Sequence, residues 1–282
     1  MMRFLLSLLV LAATQISAAW AEDWRTGQFI LSDWDGPALR VFYVEPPEGR
    51  LPDAPVVIVM HGVNRNADDY RDNWIALAEH YGLRVYAPEF TQDAFPGAAS
   101  YNLGGVGRDG PSSYAAIEPL FTAITQRGAA SGYVLFGHSA GAQFVHRALL
   151  FEDLPHLLTA YSANAGWYTL PDRNETWPYG LSGIDIDEGR IGAWLERPMT
   201  LLLGEADIDP GDPNLRRTPE ALAQGPHRLA RGHYFFDHAG WQAQERGVSL
   251  GWRVVTVPGV AHDNAGMART AASLIAQTAR DD

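Results

Sequence analysis

Residues 137–141 read Gly-His-Ser-Ala-Gly, directly after the run Ser-Gly-Tyr-Val-Leu-Phe and directly before the helical pattern of residues 142–150. Glycines on both sides of a serine allow a turn too tight for neighbouring side chains, and Ser139 held there is a candidate nucleophile. A serine hydroxyl attacks poorly until a base removes its proton, a task for an imidazole with a pKa of about 6.5. That imidazole needs a carboxylate to fix its tautomer and to stabilise the imidazolium. The chain carries nine histidines, and residues 204–212, Gly-Glu-Ala-Asp-Ile-Asp-Pro-Gly-Asp, carry four carboxylates, so both partners are on offer.

Composition narrows the setting for that chemistry. A net charge of -12, with no Lys/Arg cluster to override it, argues against nucleic acid or an anionic membrane as a partner. The chain has no cysteine, which excludes disulfides, thiolate metal sites and a cysteine nucleophile. The acidic loop at 204–212 lacks the D-x-D-x-D-G spacing and terminal Glu of a calcium loop, so neither metal nor cofactor is expected. Arg3, the apolar stretch Phe4–Ala13 and Ala19-Trp20-Ala21 have the layout of a secretory signal peptide cleaved after Ala21. That apolar run is too short to span a bilayer. The expectation is a periplasmic or secreted protein with no membrane insertion after removal of residues 1–21. Residues 22–282 then form a single domain, with nothing in the sequence to set its oligomeric state.

The elements that must hold these residues alternate in type. Residues 28–32 and 39–44 predict an antiparallel entry hairpin around Asp35-Gly36-Pro37-Ala38. Residues 54–60, Ala-Pro-Val-Val-Ile-Val-Met, form the continuous apolar run of a strand buried on both faces. Further strands are expected at 83–90, before Gly137, at 157–163, at 199–204 and at 252–257. Helices are expected from Trp74 to Gly82, along the face Ile117, Leu120, Phe121 and Ile124, and through Met267, Ala271, Leu274 and Ile275. Strands alternating with helices imply an α/β class with a mostly parallel sheet covered on both faces. The carboxyl ends of such strands form the working edge. His61-Gly62-Val63-Asn64, the serine pentapeptide, Asp207 and His262 all fall at those ends.

With these motifs placed, the chain resembles an α/β-hydrolase over nearly its whole mature length, and within that superfamily the exported polyhydroxybutyrate depolymerase and feruloyl esterase-like group. The resemblance implies a serine esterase working through an acyl-enzyme. Ser139 would be the nucleophile, His262 the base and, from the family's Gly-x-x-Asp pattern, Asp207 the acid. His262 follows the last strand in a glycine-bearing loop, whereas the other histidines lie in or beside helices or precede the serine. The oxyanion hole would come from the backbone N–H groups of Ala140 and Val63. Trp167, Tyr168 and His61 are the candidate substrate contacts, and residues 167–195, too long for a simple loop, form a candidate cap or lid. Lack of cysteine, and of a further domain after the closing helix, departs from many members acting on insoluble polymer. The expected substrate is therefore a soluble or oligomeric ester. A serine peptidase on the same fold, or a non-catalytic binding module, are the alternatives.

Overall fold

A computed structural model of the protein describes residues 24–281, so the signal segment expected at 1–21 lies outside the described residues. The strands are β1 (Arg25–Leu31), β2 (Leu39–Glu45), β3 (Val56–Met60), β4 (Arg84–Glu89), β5 (Tyr133–His138), β6 (Leu157–Ala163), β7 (Met199–Gly204) and β8 (Trp252–Val257). They form one sheet in the order β1-β2-β4-β3-β5-β6-β7-β8. The entry hairpin pairs Leu31 with Leu39, and β2 runs antiparallel to β4; every later pairing is parallel. This is the mostly parallel α/β sheet that the alternation of apolar runs and helical faces implied.

Two layers of helix close the sheet. One face packs against α1 (Ala67–Asp72), α2 (Ile75–Tyr81) and, across the molecule, the C-terminal helix Asn264–Asp281. The other packs against Ile117–Arg127, Ala140–Phe151, Glu188–Glu196 and Arg228–Arg246. Numbered in chain order with the short helices Gly97–Ser100 (α3) and Pro219–Ala223 (α7), these longer helices are α4, α5, α6, α8 and, last, α9. Strand β3 shows why the run at 56–60 has no polar alternation. Val56, Ile58 and Met60 point into the core under α4, α5, α6 and α8, while Val57 and Val59 point into the opposite one. Each such buried aliphatic side chain contributes about 1.5–3 kcal/mol.

Residues 167–195, expected as a candidate cap or lid, send several large side chains into the main core. Tyr168, Leu170, Leu181, Ile191, Trp194 and Leu195 are buried in the main core, where Trp194 packs on Trp252 at 5.1 Å between ring centres. These side chains reach the principal core, while Trp167 and Tyr179 pack with Ala221 in a small cluster of their own.

The tightest place in the fold is where β5 turns into α5. A Cβ on Gly137 would lie 2.8 Å from the Ala142 nitrogen and closer still to the Gly141 carbonyl. A Cβ on Gly141 would lie 2.9 Å from the His61 carbonyl oxygen and closer still to that of Met60. Gly141→Ala is therefore expected to destabilise by about 1–3 kcal/mol through overpacking against backbone. Gly240 on α8 has open space where a Cβ would go, and Gly240→Ala should be neutral or stabilising. Thermal unfolding checks the pair: at about 2–4 °C per kcal/mol, only Gly141→Ala should lower Tm by several degrees. Equal Tm values for the two variants would contradict the packing argument.

Candidate active site

The turn that Gly137 and Gly141 permit holds Ser139 at φ 58° and ψ -115°, a conformation that costs a non-glycine residue about 1–3 kcal/mol. The strain is held in place by packing on both sides. β5 is buried along its whole length, and α5 is buried from Ala140 to Leu150. Ser139 caps α5, and its carbonyl accepts from the N–H of Gln143 at 3.2 Å. Ala140, the first residue of the helix, has an N–H without an intrahelical acceptor.

Ser139 Oγ donates to His262 Nε2 at 3.1 Å, and His262 Nδ1 donates to Asp207 Oδ2 at 2.9 Å. The three side chains come from the ends of β5, β7 and β8, and backbone bonds lace those ends together. Glu205 N–H donates to Val257 O at 3.0 Å and Ala206 N–H to Val260 O at 2.9 Å. Asn164, just past β6, is wholly buried; its Nδ2 donates to Ala261 O at 2.9 Å while its Oδ1 accepts from Gly204 N–H at 2.8 Å. The histidine loop is thus set by its neighbours across the sheet edge. An exposed loop alone would leave His262 free to wander by more than a hydrogen bond's tolerance.

Of the four carboxylates at 204–212, Asp207 is the one that reaches the histidine, and it is 4% exposed. Glu205 accepts from Gly259 N–H, and Asp209 from Gly211 N–H, both at the surface. Asp212 takes a different partner. Arg228, 2% exposed at the start of α8, donates from Nη1 to Asp212 Oδ2 at 2.8 Å and to Asp207 Oδ1 at 3.2 Å. The bond from Arg228 holds the Asp212 carboxyl below the usual carboxylate range. Neither Arg228 nor Asn164 has a local pattern that marks it, because each acts only through residues distant in the chain.

Three of the residues expected to contact substrate are buried. His61 is fully buried. Its Nδ1 donates to Gly62 O at 2.9 Å, its Nε2 accepts from Phe90 N–H at 3.0 Å, and burial holds its pKa down to about 3. Its role is to brace the 61–65 turn, which the Arg65 N–H closes on Gly62 O at 3.2 Å and whose Val63 side chain faces solvent. Tyr168 is also fully buried, stacked on Phe235 at 4.4 Å. Trp167 is 5% exposed, held between Tyr179 at 4.5 Å and the Arg147 guanidinium at 4.3 Å from its ring centre. Their burial follows from large apolar area, which gains more in the core than at a rim.

Beside the reacting atoms, packing holds His138 neutral. The His138 ring lies 4.6 Å from that of His262, with Tyr70 Oη 3.1 Å from its Nδ1. Burial first, then the charges of His262 and Arg228, hold His138 well below the ordinary imidazole value.

The chain matches no protein-family model and no curated protein. Solved structures do match. Poly(aspartic acid) hydrolase-1 from Sphingomonas sp. KT-1 superposes with a TM-score of 0.85 at 38% identity, over 89% of this chain and 98% of that one. LpqC, a poly(3-hydroxybutyrate) depolymerase from Bordetella parapertussis, gives 0.82 at 37% identity over 89% of each chain. An S-formylglutathione hydrolase from Agrobacterium tumefaciens, at TM-score 0.58 and 16% identity over 91% of this chain and 95% of its own, shares the fold alone.

The buried neutral histidines make a prediction about stability. Burial lowers the folded pKa of His61, His138 and His146 below the unfolded value of about 6.5. Below that pH the unfolded chain binds more protons, so stability is present above about 6.5 and falls as pH drops. Each histidine contributes a slope of up to about 1.4 kcal/mol per pH unit. Tm measured between pH 7 and 5 should fall steadily, and His146→Gln should flatten the decline. A Tm unchanged across that window would show that the three rings are not held neutral.

Proposed function

The chain belongs to the esterase-like α/β-hydrolase family, and on that premise we propose that it is a serine hydrolase cleaving carboxylic esters through an acyl-enzyme formed on Ser139. The observation that supports this most directly is the continuous hydrogen-bond relay from Ser139 Oγ through His262 to Asp207 at a strained strand-to-helix turn. His262 Nε2 takes the proton of Ser139 as Oγ attacks the acyl carbon, and Asp207 stabilises the imidazolium that results. The carbonyl oxygen gains the negative charge and receives the N–H groups of Ala140 and Val63, each such donor being worth about 3 kcal/mol in other serine enzymes. His262 returns its proton to the departing alcohol. Water then attacks the acyl-enzyme, with His262 again taking the proton and giving it back to Ser139.

A second substrate reading has its own support. One relative is named for a polyester and the other for poly(aspartic acid), an amide-linked polyanion. Beside Trp167, the guanidiniums of Arg147 and Arg216 lie 4.3 and 5.5 Å from the indole centre. Arg147 and Arg231 are fully buried, and their described hydrogen bonds go to uncharged groups, among them Asn102 O and Gly166 O. Of the guanidiniums beside Trp167, Arg216 is exposed and its described hydrogen bond goes to the uncharged Tyr179 Oη, so it is the one placed to favour a substrate that carries a carboxylate.

Residues 1–21 are proposed as a removed signal, placing the enzyme in the periplasm or outside the cell. N-terminal sequencing of protein recovered from a secreting host should begin at Glu22; a chain that still begins at Met1 would refute the export reading.

Two experiments test the activity. A fluorophosphonate probe should label the protein at Ser139 and fail on Ser139→Ala; labelling that persists in the variant, or none at all, would remove Ser139 as nucleophile. On a panel of p-nitrophenyl esters, aminoacyl-nitroanilides and poly(aspartic acid), the esters should turn over, and nitroanilide cleavage alone would favour the peptidase. Asp207→Asn should lower kcat by about 10⁴-fold, as loss of the orienting charge does elsewhere, and Asp209→Asn should be nearly silent. The reverse order would reassign the acid.

A further inference from the structure

Resting on the reading of Ser139, His262 and Asp207 as the reacting set, the geometry around Asp207 carries one step more. Its two oxygens are divided between opposite tasks. Oδ2 accepts from His262 at 2.9 Å and Oδ1 accepts from Arg228 at 3.2 Å. A guanidinium buried to 2% exposure beside the acid would, alone, neutralise the charge that the imidazolium needs. Arg228 is not alone. The same Nη1 donates to Asp212 Oδ2 at 2.8 Å, and Asp212 is itself set by Asn214 N–H on its Oδ1 at 2.7 Å. Two carboxylates and one guanidinium leave a net charge of about one negative unit, which the imidazolium formed during proton transfer balances.

We propose that Arg228 and Asp212 form a charge-compensated clamp in which Arg228 positions Asp207 for His262 and Asp212 supplies the negative charge that Arg228 would otherwise withdraw from the pair. Both are positioning residues: neither touches Ser139 or the acyl group. The N-terminus of α8 reinforces the arrangement, since Leu229 N–H donates to Asp207 O at 3.3 Å. The α8 start is itself capped, His227 accepting from Ala230 N–H at 3.2 Å. The other groups on the elements around His262 do not offer the same control. His138, 4.6 Å away at the end of β5, is held neutral; Glu205 at the end of β7 is turned to Gly259 N–H; Asp263, next to His262, caps α9 through Gly266 N–H at 2.8 Å.

The signature is a pair of shifts of opposite sign in the acid limb of kcat/KM, read on one p-nitrophenyl ester. Asp212→Asn removes a negative charge and lets Arg228 bind Asp207 more fully, so the imidazolium is less stable and the limb moves to lower pH by about half a unit. Arg228→Gln removes a positive charge, so the limb moves to higher pH, and plateau kcat falls at least tenfold with KM nearly constant because Asp207 loses one of its two anchors. Arg228→Lys keeps the charge without the fork and should restore the limb to the wild-type position with kcat still reduced. A role in packing alone would lower stability without moving the limb in opposite directions. An Asp212→Asn limb that stays in place, or Arg228→Gln and Asp212→Asn shifts of the same sign, would overturn the clamp. If Arg228→Gln does not fold, the part-exposed Asp212→Asn and the conservative Arg228→Lys decide the matter by the same criteria. Wild-type protein that neither reacts with fluorophosphonate at Ser139 nor shows an acid limb would instead overturn the serine hydrolase reading, so the two failures are distinct.

Discussion

The close crossing of the β5–α5 turn over the loop that follows β3 is the constraint on which the rest of the site depends. Met60 and His61 carbonyls approach Gly141 so nearly that no side chain fits there, and Gly137 faces α5 on the same terms. Without that approach α5 could not start immediately above the sheet, and Ser139 would relax from φ 58° into an ordinary conformation with its hydroxyl elsewhere. The strain, about 1–3 kcal/mol, is small beside the burial that opposes its release. To relax the turn, α5 would have to withdraw Phe144, Val145, Ala148 and Leu149 from the core.

A second consequence concerns charge. The surface of this protein is strongly acidic, yet its interior near the working edge is cationic, with Arg147, Arg228 and Arg231 all buried. Each guanidinium is held by different acceptors, and Arg147 Nη2 and Arg228 Nε have none among the described residues. Arg147 and Arg231 donate largely to backbone carbonyls where loops need closing, while Arg228 meets two carboxylates. Arginine suits this because its planar fork serves several acceptors at once and its proton is not lost on burial. Meanwhile His61, His138 and His146 are kept neutral by the same burial, leaving His262, at the boundary with solvent, as the imidazole placed to exchange a proton with Ser139.

Much of the architecture was legible before any coordinates. The runs at 54–60 and 199–204 are strands because continuous apolar sequence is stable only where both faces of a sheet are covered, and the helical face from Ile117 to Ile124 is buried at all four of its marker positions. The serine turn was legible for a related reason: local sterics demand glycine at 137 and 141, and local sterics are written in adjacent residues. Aromatic residues near the site were harder. Trp167 and Tyr168 follow β6 and so stand at the right end of the sheet, but position along a strand does not say whether a ring turns inward.

By itself, then, the sequence determined the class of fold, the strand order in the chain and a serine turn followed by an acidic loop and a late histidine, because these follow from periodicity and from sterics within a few residues. Only the tertiary structure decided that Arg228 and Asp212 share the charge of Asp207, that Asn164 ties three strand ends together, and that Tyr168, Trp194 and Leu195 enter the main core. Those outcomes turn on contacts between residues 16 to 97 positions apart, whose directions are set by how the strands pack side by side, and no local spacing encodes them.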